Sequence, residues 1–380
     1  MRIGIFETDH FEVTCATIRL FDHDQNNITV FTYEKSYRQL QFLLQHDMHK
    51  YEWIVKPEQQ SKRRFINTIY NETKQRKIDL LFLNTITDNH LLYAWMIRRL
   101  KKVRVVVTLH DINNFFQFQP TFSLRRLIRI IGRRQLIRAV DEFNVIALTM
   151  VDHLKKKLPP GKQVHSLPGG LFDASAISNT PAPRHQVRIV VPGTVDERRR
   201  NYDQVFELLA LCEKKAIPVM MILLGGYDAE HGKRILEKCK AYKNIRYYDA
   251  AIVDQPEFDK EMNEAHLVFT PSVINTIILD GVTETYGISI SSGNLYDVVR
   301  HAKPWIIPQA LTIPANMENG CIRYATVEDL LPHLQRLLRE PSYYLELSKH
   351  ALNHAARYTK EQVRLRNPSL FDHAGLHPLH

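Results

Sequence analysis

Residues 103–111 read VRVVVTLHD, an apolar run that stops on His110 and Asp111. An imidazole and a carboxyl side by side suit general acid–base work, or the orientation of a reacting hydroxyl. A second such set follows the first apolar run, where FETDHFE (6–12) carries Glu7, Asp9 and His10. A third set is cationic. Gly193 ends VRIVVPG, and Arg198, Arg199 and Arg200 follow it. Three cations just ahead of a helix start oppose the helix dipole, and an anion bound there relieves that opposition. Further on, ISISSGN (288–294) puts Ser291, Ser292, Gly293 and Asn294 at the head of the helical stretch LYDVVRHA. Bound phosphates call for backbone N–H groups, a helix N-terminus and Arg or Lys, and these segments supply all three. Plainer readings stand beside these. His110 can cap its strand or the next helix, and the arginines can be a solvated helix start.

The elements that must hold these residues alternate. Strand-like runs occur at 2–7, 27–33, 78–84, 103–111, 143–149 and 163–170, with helical spacing at 37–46, 60–76, 90–102 and 150–158. The polar, proline-bearing stretch 173–186 reads as a linker. The pattern then repeats, with strands at 187–193, 217–226 (ending on Gly225 and Gly226), 244–248, 266–272 and 304–308. Helical segments at 201–215, 229–241, 257–264 and 294–302 lie between them. Continuous apolar strands alternating with helices imply parallel sheets covered on both faces. The expectation is an α/β protein of two facing, Rossmann-like, doubly wound domains, 1–175 and 186–345. A tail, 346–380, would cross back to the first. Ligands of such sheets bind outside the carboxyl ends of the strands, so His110 and Gly193 would face one interdomain cleft.

The bulk properties agree. At 380 residues the chain exceeds one ordinary core. A net charge of +10 favours anionic partners. No apolar run is long enough to span a bilayer. The N-terminus reads as a first strand and not a signal peptide. Cys15, Cys212, Cys239 and Cys321 are scattered, which suggests neither zinc nor disulfides and points to a reducing, cytoplasmic setting.

Taken in order, G193-TVDERRR-NY, LLGGYD, NIRYYDAAIVDQPEF, AHLVFTPS and TETYGISISSGNLYDVVRHAKPWIIP resemble the C-terminal domain of GT-B glycosyltransferases of the family 4 type. VVVTLHD, VIALT and VHSLPGG resemble their first domain. The resemblance implies transfer of a sugar from a nucleotide-sugar donor to a hydroxyl of a glycan or lipid-linked saccharide, with no cofactor and no metal. Gly193, Thr194, Arg199, Arg200, Gly225, Tyr286, Gly287, Ser291, Ser292, Gly293 and Asn294 would form the donor site. His110 would lie beside the donor sugar, Glu284 would address that sugar, and Asp9 or His10 would supply a base if the reaction inverts. Retention is favoured. Two departures are evident. Thr194 replaces the Arg that follows the family's glycine, and Ser292 replaces its second Glu. The loop 112–122, with four Phe and two Asn, suits a sugar or lipid acceptor, or simply packs.

SLRRLIRIIGRRQLIRAV (123–140) has six arginines and no acid. Its stripe Leu124, Leu127, Ile128 and Ile131 either enters the core or lies on an anionic membrane, which would make the protein peripheral on the inner face. Nucleic acid is not expected, since the arginines lack interleaved aromatics. Two other functions remain open: a sugar-nucleotide epimerase on the same fold, and a non-catalytic glycan- or anionic-surface-binding protein with a degenerate donor site. A dehydrogenase is disfavoured, because no G-x-G-x-x-G follows the first strand.

Overall fold

The computed structural model describes residues 1–118, 123–177, 180–277 and 281–371. The first lobe is a seven-stranded sheet: β1 (Arg2–Glu7), β2 (Asn27–Tyr33), β3 (Glu52–Lys56), β4 (Leu80–Leu83), β5 (Arg104–Leu109), β6 (Glu142–Val145) and β7 (Gln163–Ser166). Its spatial order is β3-β2-β1-β4-β5-β6-β7, with every pair parallel. The second lobe contains β8 (Val187–Pro192), β9 (Val219–Leu224), β10 (Ile245–Tyr247) and β11 (Leu267–Phe269). An antiparallel arm follows, β12 (Asn275–Ile277) with β13 (Thr283–Thr285), then β14 (Trp305–Pro308) and β15 (Cys321–Tyr324). The main sheet of this lobe is six-stranded and parallel, ordered β10-β9-β8-β11-β14-β15. Both windings reverse beside their first strand, between β1 and β4 and between β8 and β11. These are the switch points next to which open α/β sheets bind ligands.

The apolar runs form these strands because helices cover both faces. All of β4 is buried, as are Val187, Ile189, Val190 and Val191 of β8. The sequence reading took the short arm β12–β13 as loop and omitted two strands of the main sheets, β3 (EWIVK) and β15 (CIRY). Both lie at sheet edges and are only partly buried, so charged residues interrupt their apolar pattern. It also omitted the helix Phe11–Phe21, and it took 112–122 as a loop, of which 112–116 form a short helix. Positions 119–122 of that segment, Phe122 among them, lie outside the described residues, as does part of the 173–186 linker.

The basic segment is helical over Leu124–Ala139, but its stripe is not core. Leu124, Leu127, Ile128 and Ile131 are exposed, and Gly132, Arg133, Leu136 and Ile137 face inward. Past the second lobe, Lys360–Leu365 and Pro368–Phe371 return to the first. Phe371 stacks on Phe21 at 4.7 Å, Arg364 Nε donates to Leu20 O at 2.8 Å, and Asn367 bonds both the N–H and the carbonyl of Ser166.

Candidate active site

The carboxyl ends of the two sheets enclose a cleft of about 1180 Å³. From the first lobe, its lining includes Asp9, His10, Thr85, His90, His110 and Asp111.

Glu7 ends β1 but does not enter the cleft. It is fully buried, and Oε1 accepts the N–H groups of Thr8, Asp9 and His10 at 2.7, 2.8 and 3.1 Å. Burial pushes its carboxyl up in pKa against those donors. Glu7 therefore acts on the loop's shape, and the loop presents His10. The His10 ring stacks on His110, with centroids 4.2 Å apart. His110 Nε2 lies 2.9 Å from the carbonyl of Asn84. A carbonyl only accepts, so Nε2 carries the proton and Nδ1 keeps its lone pair. Burial, then the charge of His10, pushes the His110 pKa down to about 3. His110 is thus a neutral hydrogen-bond acceptor at physiological pH. A buried ladder of side chains fixes the strand ends behind it. Thr108 Oγ1 donates to Asn84 Oδ1 at 2.9 Å, Asn144 Nδ2 to Thr108 Oγ1 at 3.2 Å, and Leu167 N to Asn144 Oδ1 at 2.7 Å.

From the second lobe, Gly193, Thr194, Arg199, Arg200, Tyr286, Ser291, Ser292, Gly293 and Asn294 line the cleft. The three arginines divide their roles. Arg198 is held by Asp196 through Nε at 2.9 Å and Nη2 at 2.7 Å. Burial opposes the Asp196 charge, but the Arg198 hydrogen bonds outweigh it and hold the carboxyl below its usual range. Arg200 folds back over Gly193. Its guanidinium donates to Pro192 O at 2.6 Å and Thr194 O at 2.8 Å, with Asn294 Oδ1 at 3.3 Å. Gly193 has φ +91, and a Cβ there would sit 2.6 Å from Arg200 Nη2. Arg199 is the half-exposed cation, 3.4 Å from Asp196. The helix Asn294–His301 points its first turn at this group; the N–H groups of Leu295, Tyr296 and Asp297 are taken by the carbonyls of Ser292 and Gly293, so the 292–294 turn forms the face that an anion would meet. Asn294 locks that turn by donating to Pro192 O at 2.9 Å and to Asp297 at 3.1 Å.

Three candidates lie off the cleft. Gly225 packs beneath it, where a Cβ would be 2.3 Å from Gly193 O. Gly287 crosses the 312 backbone, with φ +81 and a hypothetical Cβ 1.9 Å from Thr312 O. Gly287→Ala is accordingly expected to cost about 3 kcal/mol or more, from a left-handed backbone plus overpacking. A melting temperature within two degrees of wild type would refute that. Glu284, expected at the donor sugar, is buried on the arm instead. Its carboxylate accepts Asn114 N at 2.6 Å and Asn113 N at 3.2 Å, across the lobes. Ile112 N donates to Ser289 O at 2.9 Å and Asn113 Nδ2 to Thr283 O at 3.0 Å, extending the same joint. Burial, reinforced by Asp111, pushes Glu284 up to about 7.

The sequence reading missed Asp297, Arg300, Arg133, His90 and Tyr296. Asp297 and Arg300 line the cleft one and two turns into the 294–301 helix. Tyr296 reaches across to bond Ile146 O and covers Gly169 and Gly170. An acid in the first turn after SSGN was a readable signal. Nothing local marks the others, because they meet the cleft only through the crossing of the lobes.

Residues 13–171 match the Glycosyltransferase Family 4 pattern. The matched stretch runs from the helix Phe11–Phe21 to just past β7, so it is the first lobe that resembles a Glycosyltransferase Family 4 domain. Solved structures extend the likeness over the whole chain, as a glycosyltransferase-type GT-B fold. An α,α-trehalose-phosphate synthase (UDP-forming) from Burkholderia vietnamiensis has TM-score 0.58 at 10% identity, covering 99% of each chain. The catalytic domain of starch synthase IV from Arabidopsis thaliana, bound to ADP and acarbose, has TM-score 0.58 at 10% identity, over 97% of this GT-B chain and 99% of that one. A UDP-GlcNAc 2-epimerase from Neisseria meningitidis, bound to UDP-GlcNAc, has TM-score 0.56 at 12% identity, over 98% and 100%. No curated protein matches this GT-B chain in sequence.

Proposed function

We propose that this GT-B chain transfers a sugar from a nucleoside-diphosphate sugar to the hydroxyl of a glycan or lipid-linked acceptor. The observation that carries this reading is the opposition of two devices across one cleft. On one wall, Gly193–Thr194, Arg199, Arg200 and the Ser292–Asn294 helix start are built for a diphosphate. On the other, His110 offers a bare Nδ1 beside His10. The diphosphate bound by the second lobe would place its sugar near the imidazoles. The helix N-terminus and arginines would take up the leaving-group charge, so no metal or cofactor is required. Asp297, one turn inside the helix, is placed to accept ribose hydroxyls. A neutral His110 accepting a sugar hydroxyl suits the retaining course. Asp9, at the cleft edge, would serve as base if the reaction inverts. Closure of the lobes would keep water from the donor.

The test is thermal stabilisation by a panel of uridine and adenosine diphosphates and their sugars. Arg199→Ala is the probe of choice, because Arg200 also braces two backbone carbonyls. Loss of one charged contact to phosphate is expected to weaken binding about 10- to 100-fold. No stabilisation by any member would sink the donor-site reading.

The likeness to UDP-GlcNAc 2-epimerases supports a second reading, interconversion of the donor alone. Incubation with donor and no acceptor separates the two, since only an epimerase yields a new sugar nucleotide.

A further inference from the structure

We infer that the outer faces of the helices His90–Arg99 and Leu124–Ala139 form one surface that docks on an anionic lipid bilayer. The two helices pack on each other, and a Cβ on Gly132 would lie 2.9 Å from His90 Cβ and 3.1 Å from Leu91 N, which is the closeness that keeps that glycine bare. Their apolar outer residues are left in water. Leu124 is 69% exposed, Leu127 47%, Ile128 48% and Ile131 43%, with Leu91 at 42% and Trp95 at 36% beside them. Six large apolar side chains together on two adjoining helices exceed the scattered exposure usual on a soluble surface.

Charge selects the occupant. The two helices hold eight arginines and no acid. Arg125, Arg126, Arg134 and Arg138 are exposed around the stripe. Arg99 lies over the Trp95 ring at 4.4 Å. A second protein molecule of this +10 chain would bring like charge to the same face. An anionic headgroup layer meets the arginines, while leucine, isoleucine and tryptophan reach the acyl boundary; tryptophan is favoured at that depth. No helix among the described residues is long and apolar enough to cross a membrane, so the contact is with the surface. The inner residues of the same helices, His90 and Arg133, line the cleft. A bilayer-borne molecule would therefore enter near the reaction centre. That last step rests on the transferase reading, whereas the docking itself does not.

The experiment is co-sedimentation of the full chain with vesicles of phosphatidylglycerol and phosphatidylcholine, against vesicles of phosphatidylcholine alone. Binding to the anionic vesicles is expected, falling as salt rises. Arg125→Gln with Arg126→Gln should lower the partition coefficient about fivefold per arginine. Leu127→Glu with Ile128→Glu should abolish it, with circular dichroism and melting unchanged because both residues are exposed. Nucleotide stabilisation should be the same in every variant, so failure of docking and failure of the donor site are distinguishable. Absence of binding at low salt, or binding indifferent to both variant pairs, would overturn the inference. So would a dimer in sedimentation analysis that Leu127→Glu with Ile128→Glu dissolves while vesicles go unbound.

Discussion

His110→Ala is expected to slow donor turnover by about 10²- to 10³-fold, the span typical of a positioned imidazole. Nucleotide affinity should stay near wild type, because the diphosphate cradle belongs to the other lobe. The measurement is release of nucleoside diphosphate under saturating donor, with thermal shift as the binding control. Turnover within threefold of wild type would place the reaction centre elsewhere. Because the ring is neutral down to about pH 3, it should add no limb to the rate profile between pH 5 and 9. It does add a stability slope. The unfolded ring takes its proton near 6.5 and the folded ring only near 3, so acidification through that window favours unfolding.

Glu284→Ala should cost about 2–4 kcal/mol, since it strips the partner from two backbone N–H groups at the interlobe joint. Glu284→Gln isolates the charge. The folded carboxyl titrates at about 7 against 4.5 for the free group, so the folded chain holds an extra proton between those values. Its contribution to stability is complete below about 4.5 and is lost as pH rises toward and through 7. Asp111, also raised by burial, slopes the same way, and the difference between wild type and variant removes its share apart from their mutual repulsion. Melting temperatures at pH 5, 6, 7 and 8 should therefore fall more in wild type than in Glu284→Gln. Parallel curves would show that Glu284 stays ionised throughout.

Of these two residues, the place of His110 was legible in the sequence and the joint made by Glu284 was not. β1, β2, β5 and β8 could be read from the chain because both faces of each are covered, which makes their apolar runs continuous. The edge strands β3 and β15 mix apolar with charged residues, and that mixture hid them. His110 and Gly193 were readable as strand ends. Glu284 was not, since its role depends on an arm folding onto the 112–116 helix, a long-range contact with no local periodicity. The stripe at 124, 127, 128 and 131 had the right spacing for either core or surface. Only the packing of Gly132 on His90 and Leu91 fixes which side faces out.

The return of 360–371 to the first lobe bears on how the protein is made. Val363, Leu370 and Phe371 pack with Ile5, Ile18 and Phe21, more than 340 residues earlier in the sequence. A nascent chain on the ribosome can assemble β1 to β7 early, yet one flank of that lobe stays open until residues 360–371 have been translated. During that interval Phe21 faces solvent or a chaperone. A messenger truncated before residue 360 would therefore yield a first lobe that is nearly complete but sticky, so that the failure arises in a lobe synthesised well before the missing segment.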